Sequence, residues 1–300
     1  MSGFRKAMPW WLRIGAKMLL ARLPVPYLLW KRVRLFEHGD MNHPQRALDT
    51  FIEHAGTAGV LDNESPLPRL AVSGGDFVVL ELGPGDSLFT AVVARSMGAS
   101  RTWLVDSDAY ATSDMAAYVG LFDFLRCRGF SLPFETDPLT LADVLRTCSG
   151  EYMTDGVQSL AQLPSASVDF CFSNAVLEHI RKSEFANLVD ELSRVFKPGG
   201  VSVHRVDLKD HLGGGLNNLR FSEATWEGML FRNSGFYTNR IRFSEMLEVF
   251  HRAGFESRLP RVVRWARLPM PRDKMDASFR SLPTDDLLVS GFDIVLKHKG

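Results

Sequence analysis

The 300-residue chain has little cysteine, no excess of charge and no long apolar run at its start, and each shortage narrows the function. Its three cysteines, Cys127, Cys148 and Cys171, are odd in number and lack metal-ligand spacing. That argues against a disulfide scaffold or a thiolate metal site and fits reduced thiols. Lys+Arg and Asp+Glu both number 35, so no global field favours nucleic acid or an acidic partner. Near the amino terminus Arg13, Lys17 and Arg22 break up the apolar residues. Neither the ~20 residues that span a bilayer nor the clean centre of a signal peptide remains. There is no internal repeat and no low-complexity tract. With 45% apolar and 23% charged residues the composition is that of an ordinary globular protein, expected in the cytoplasm.

What the chain does have begins at Phe77-Val78-Val79-Leu80-Glu81-Leu82-Gly83-Pro84-Gly85-Asp86-Ser87-Leu88. The apolar run suits a strand buried on both faces of a parallel sheet. Gly83 and Gly85 allow a sharp turn and close approach of backbone to ligand. The next strand, Thr102 to Val105, ends in Asp106, about twenty residues on, where an acid can hold both hydroxyls of a ribose. A dinucleotide fingerprint wants a third glycine where Leu88 stands, and no Tyr-x-x-x-Lys follows the glycine turn, so a nicotinamide oxidoreductase is disfavoured.

The pattern Glu81-x-Gly83-x-Gly85-x-Ser87 resembles motif I of class I S-adenosylmethionine-dependent methyltransferases, with Ser87 in place of the last glycine. Further stretches resembling that family follow in order. Ser167 to Asn174 resembles its fourth strand, Val176-Leu177-Glu178-His179 its following helix start, and Arg194-Val195-Phe196-Lys197-Pro198-Gly199-Gly200 its helix stop before a fifth strand from Val201. The resemblance covers roughly residues 76–300. It implies an α/β, Rossmann-like fold: a seven-stranded, mostly parallel sheet with helices on both faces. It also implies S-adenosylmethionine as cofactor, with Glu81, Gly83 and Gly85 around its methionine and ribose. Asp106 takes the ribose hydroxyls, Ser107 and Asp155-Gly156-Val157 flank adenine, and Ser173 and Asn174 lie near the methionine end.

Two domains are expected: an N-terminal helical extension over 1–75 and the methyltransferase domain over 76–300. Helices are expected near 8–22, 43–57, 108–128, 139–145 and 243–253, with sixth and seventh strands from Val262 to Trp265 and from Leu287 to Leu296. The long, Gly- and Asn-bearing connection 207–240 reads as an inserted substrate lid. Eight basic residues from Arg5 to Arg34 precede the first acid, Glu37. Two readings stay open for that segment: an amphipathic helix packed on the domain, or one lying on an anionic membrane at the inner face, a peripheral contact.

Stretches 35–41, 204–211 and 237–242 resemble methyltransferases of bacterial surface-polysaccharide and glycan biosynthesis. That implies a sugar or glycan hydroxyl as acceptor; another small metabolite, or a non-catalytic cofactor-binding module, are the alternatives. A hydroxyl is a poor nucleophile while protonated and needs a base. His211, beyond the fifth strand and with an ordinary pKa near neutral, is the expected base, with Asp207 orienting it or sharing its task. His204 and His179 read as structural or cleft-edge residues. A divalent ion on His204, Asp207, Asp210 and His211 is the competing reading of these residues, but their spacing matches no compact ligand signature, so the expected site holds no metal. His38, Asp40 and His43 form a second cluster, and Tyr237, Asn239 and Arg240 either meet the acceptor or lie in a solvated loop. Nucleic acid is not an expected partner, for no Asn/Asp-Pro-Pro-aromatic string occurs. The oligomeric state is open.

Overall fold

The computed structural model describes residues 42–62, 64–72 and 75–298. Seven strands form one sheet: β1 (Val78–Leu82), β2 (Arg101–Val105), β3 (Gly150–Met153), β4 (Val168–Asn174), β5 (Phe196–Asp207), β6 (Phe255–Arg264) and β7 (Val289–His298). Their order is β3-β2-β1-β4-β5-β7-β6. The pairs from β3 through β5 are parallel, and β7 runs antiparallel to both β5 and β6. All five residues of β1 are buried, because helices cover both faces of this central strand. Chain order reverses between β1 and β4, which opens a crevice at the carboxyl ends of the strands there.

One face carries α1 (Pro44–Ala58), α2 (Phe89–Ser96), α3 (Met115–Cys127) and α4 (Leu141–Thr147) around Val79, Phe170 and Phe172. Phe51 of α1 meets the rings of Phe170 and Phe172 edge-on at 6.2 and 5.7 Å, so the described part of the expected extension shares the sheet's own core. The other face carries the one-turn α5 (Val157–Leu160), α6 (Lys182–Val195) and, beyond it, α9 (Phe243–Arg252), packed on Leu80, Leu82, Cys171 and Val206.

Several expected boundaries move. The helix expected from 108 starts at Met115, capped by Asp114, whose carboxylate accepts Ala116 N–H. The residues before it are held irregular: Tyr152 Oη donates to Asp108 O and accepts Tyr110 N–H. The fifth strand starts at Phe196 and runs through the Lys-Pro-Gly-Gly stop. The sixth starts earlier than expected, at Phe255, and the seventh later, at Val289, because Thr284–Leu287 forms a helical turn.

The connection from Leu208 to Arg242 contains a 3-10 turn (Asn217–Arg220) and two one-turn helices, α7 (Glu223–Trp226) and α8 (Met229–Arg232). These close around a cluster of Leu212, Trp226, Phe231, Phe236 and Tyr237. The helix expected near 8–22, with His38 and Asp40, lies outside the described residues.

Candidate active site

The glycine turn leaves β1 with Gly83 at φ +68° and Gly85 at φ +66°, a backbone region that strains other residues. At Gly83 space decides as well as φ: a Cβ would lie 2.4 Å from Val176 Cγ2. Gly83 N–H donates to Val105 O at 2.8 Å, tying the turn to the end of β2. There Asp106 accepts Gly85 N–H at 3.0 Å on one carboxylate oxygen and Ser107 N–H at 2.8 Å on the other. Its backbone carbonyl accepts Gly156 N–H at 2.8 Å, and Gly156, at φ +57°, would place a Cβ 3.7 Å from Ser107 Cα. The fold therefore brings Gly83, Gly85, Asp106, Ser107, Asp155, Gly156 and Val157 to one sheet edge.

Glu81 lies just beneath this turn, 3% exposed, and burial pushes its carboxyl up to about 8 against a side-chain hydrogen bond from Thr90. Its Oε2 is buried without a hydrogen-bond partner. A carboxyl in that state is poised to accept a donor from a ligand entering the turn. Positive-φ glycines, a carboxylate fixed by backbone N–H groups and an orphan buried oxygen fit a nucleoside.

Ser173 and Asn174 end β4, next to the turn, with Ser173 in register with Leu82. The Ser173 side chain is turned away from solvent: it is fully buried, and its hydroxyl bonds His204 Nδ1 at 2.8 Å. His204 is itself fully buried, and burial pulls its pKa down to about 3, so it is a neutral structural histidine.

The four polar residues expected together after the fifth strand divide. Asp210 is buried and staples the following loop, accepting Leu212 N–H at 2.8 Å and Asn217 N–H at 2.5 Å. Asp207 pairs with Lys209 Nζ at 3.1 Å and also accepts its N–H at 2.9 Å. His211 is exposed, and its ring meets that of His179 edge-on, centroids 4.9 Å apart.

His179, expected as a structural or cleft-edge residue, is exposed. It sits in the turn 175–180 after β4, which opens on Ala175 at φ +57°. Its Nδ1 lies 3.0 Å from Tyr237 O, and a carbonyl only accepts, so Nδ1 carries the proton and the basic lone pair of the neutral ring is on Nε2. Asn239 clamps the same turn: Nδ2 donates to Leu177 O at 2.8 Å and Ile180 O at 2.9 Å, while its N–H donates to Glu178 O at 2.8 Å. Glu178 in turn accepts Asp207 N–H at 3.2 Å, and burial pushes its carboxyl up to about 8.

Tyr237, Asn239 and Arg240 fit neither expectation, for all three are buried scaffold. Tyr237 Oη donates to Glu227 at 3.0 Å, and Arg240 spans Phe221 O at 2.6 Å and Glu223 at 2.5 Å. His43 is exposed just before α1. No group of three or more His, Cys, Asp or Glu able to hold a metal occurs among the described residues.

Residues 139–204 match the model of a methyltransferase domain family. With the sheet order, that supports a class I S-adenosylmethionine-dependent methyltransferase, an enzyme whose cofactor is S-adenosylmethionine. The match runs from just before α4 into β5 and takes in Asp155–Val157, Ser173, Asn174 and His179, but not the glycine turn. No curated protein matches. Among solved structures, the YcgJ protein of Bacillus subtilis is 14% identical, over 85% of this chain and 99% of its own, at TM-score 0.45. An S-adenosylmethionine-dependent methyltransferase of Archaeoglobus fulgidus is 12% identical, over 91% of this chain and 100% of its own, at TM-score 0.43. One of Mesorhizobium loti is 16% identical, over 74% and 91%, at TM-score 0.39.

Proposed function

We propose that the chain is an S-adenosylmethionine-dependent O-methyltransferase acting on a hydroxyl of a sugar or glycan intermediate. The observation that carries this reading is the meeting of two exposed imidazoles, His179 and His211, at the sheet edge that also bears the glycine turn. The cofactor supplies an electrophilic methyl group on a positively charged sulfur. An oxygen acceptor then needs its proton removed, which a sulfur or amine acceptor needs less.

In this reading Glu81, Gly83, Gly85 and Asp106 hold the cofactor's methionine and ribose, Ser107 and Asp155–Val157 border its base, and the backbone of Ser173 and Asn174 closes the methionine end. His211 takes the acceptor proton. Asp207, already held by Lys209, adds negative charge at the same strand end. The connection 208–242 forms the wall behind the acceptor. Tyr237 O favours His179 as a second reading of the base, since it fixes the tautomer whose Nε2 is basic.

The test is a cofactor-dependent turnover screen of nucleotide sugars and small hydroxyl acceptors, run with and without chelator. Methylated sugar formed in chelator supports the proposal. Turnover confined to phenols, carboxylates or amines would replace the acceptor class, and cofactor binding without any turnover would favour a non-catalytic module.

A further inference from the structure

Besides the basic residues that precede Glu37, the charge balance of the whole chain hides a second local imbalance. From Ser257 to Arg272 there is no acid, while arginines recur at 258, 261, 264 and 267. This stretch is the outer edge of the sheet, β6, and the residues just beyond it. All four arginines are exposed. Arg258 donates to Thr57 O at 2.8 Å, and Arg261 lies 3.9 Å from Asp293, a carboxylate already bound by Arg205 at 3.1 Å. Arg264 and Arg267 form no ion pair among the described residues.

Two features of β6 keep this row spread out. Pairing with β7 slips between Arg258 and Arg261, at Leu259-Pro260, and again after Val263. A proline in an edge strand with a bulge leaves no ladder bond broken, and the extra residue re-aims the side chains that follow. Arg258 to Arg264 then covers roughly 20 Å of edge at ~3.3 Å per residue. Leu259 and Val263, exposed at 36% and 39%, stand between the arginines. A row of this length suits an extended anionic surface better than one phosphate, which would draw the guanidiniums inward.

We infer that the β6 edge docks on an anionic lipid surface, with Arg258, Arg261, Arg264 and Arg267 on headgroup phosphates and Leu259 and Val263 against the interfacial region. The interleaved aliphatic residues favour lipid over nucleic acid, and the one aromatic in the stretch, Trp265, is packed in a cluster with Met270 and Leu287. Val263 and Asp207 share the partner Gly291 on opposite sides of β7. The edge therefore lies two strand spacings, about 10 Å, from the strand end of the proposed acceptor site. Docking there would present that site to a membrane-borne acceptor; this consequence rests on the proposed function, while the docking itself does not.

Cosedimentation of the full chain with vesicles of neutral phosphatidylcholine, alone or with one third phosphatidylglycerol, tests the inference. Binding is expected only with the anionic lipid and should fall with salt. Each arginine near the surface contributes roughly fivefold, so R264Q/R267Q should bind about twentyfold more weakly, and R264K/R267K should bind as wild type. Equal binding to neutral vesicles, wild-type binding by R264Q/R267Q, or tighter binding to duplex DNA than to vesicles at equal ionic strength would overturn it. Wild-type binding by R264Q/R267Q would leave the arginines as protection against edge-to-edge pairing. Cofactor titration on the same samples separates the two ideas: vesicle binding without cofactor binding refutes the methyltransferase reading and leaves the surface standing.

Discussion

The two halves of the carboxyl edge use polar residues in opposite ways. Around the ends of β1 and β2 the polar groups are few and locally determined: Asp106 binds the N–H groups of Gly85 and Ser107, and Glu81 keeps one oxygen without a partner. Beyond β4 and β5 polar residues are abundant, yet most are consumed by the fold. Asp210, Asn239, Arg240 and Arg242 are all buried and bonded mainly to backbone. A connection with almost no regular structure must satisfy its own N–H and C=O groups with side chains. Chemistry-bearing residues in such a segment are therefore as apt to be staples as to be a site, and exposure separates the two.

Substitutions on the acceptor side should split along that line. His211→Ala should lower turnover on the true acceptor about 10²–10⁴-fold while leaving cofactor affinity nearly intact. Near-wild-type turnover would move the base to His179, and loss matched by His179→Ala alone would point to a shared proton. Next in size comes a staple. Arg242 donates to Leu208 O, Asp286 O, Leu287 O and Val289 O, the last at 2.7 Å, so Arg242→Met should destabilise by roughly 3 kcal/mol in urea unfolding. A change below about 1 kcal/mol would mean that those carbonyls find other partners.

A smaller, pH-dependent effect is expected at Glu178. Its folded pKa of about 8 lies above the ordinary 4.5, so the folded state binds the proton more tightly than the unfolded chain. The resulting stability is fully present below about pH 4.5 and is lost as pH rises through about 8. Glu178→Gln cannot titrate, so the advantage of wild type over this variant should shrink between those limits; a difference constant with pH contradicts the burial argument. The smallest effect is expected at Ser173, whose hydroxyl faces His204: Ser173→Ala should change cofactor affinity by less than about twofold in calorimetry. A tenfold loss would place that hydroxyl in the cofactor site.

The same contrast explains what was legible in the sequence. Strand, turn and helix around Gly83 follow from short-range rules, and residues 81–85, 106–107 and 155–157 converge as their motif positions require. The parallel sheet and its two helical layers were legible for the same reason. The connection 208–242 was not, because its helices are single turns whose packing around Trp226 depends on contacts distant in sequence. The tautomer of His179 was not legible, because the group that fixes it is Tyr237 O, 58 positions away. Arg240 was misread for a different reason: it is a charge buried against Trp226 and Phe279, and single-sequence patterning assigns arginine to the surface.

The most direct test of the whole reading is titration calorimetry of the wild-type chain with S-adenosylmethionine and its demethylated product, repeated on Asp106→Ala. Wild type should bind both, and loss of a charge-assisted hydrogen bond, worth about 1.5–3 kcal/mol, should weaken the variant roughly tenfold or more with its melting temperature nearly preserved. No binding by wild type would contradict the assignment of the glycine turn as a cofactor site, and unchanged affinity in Asp106→Ala would remove that carboxylate from it.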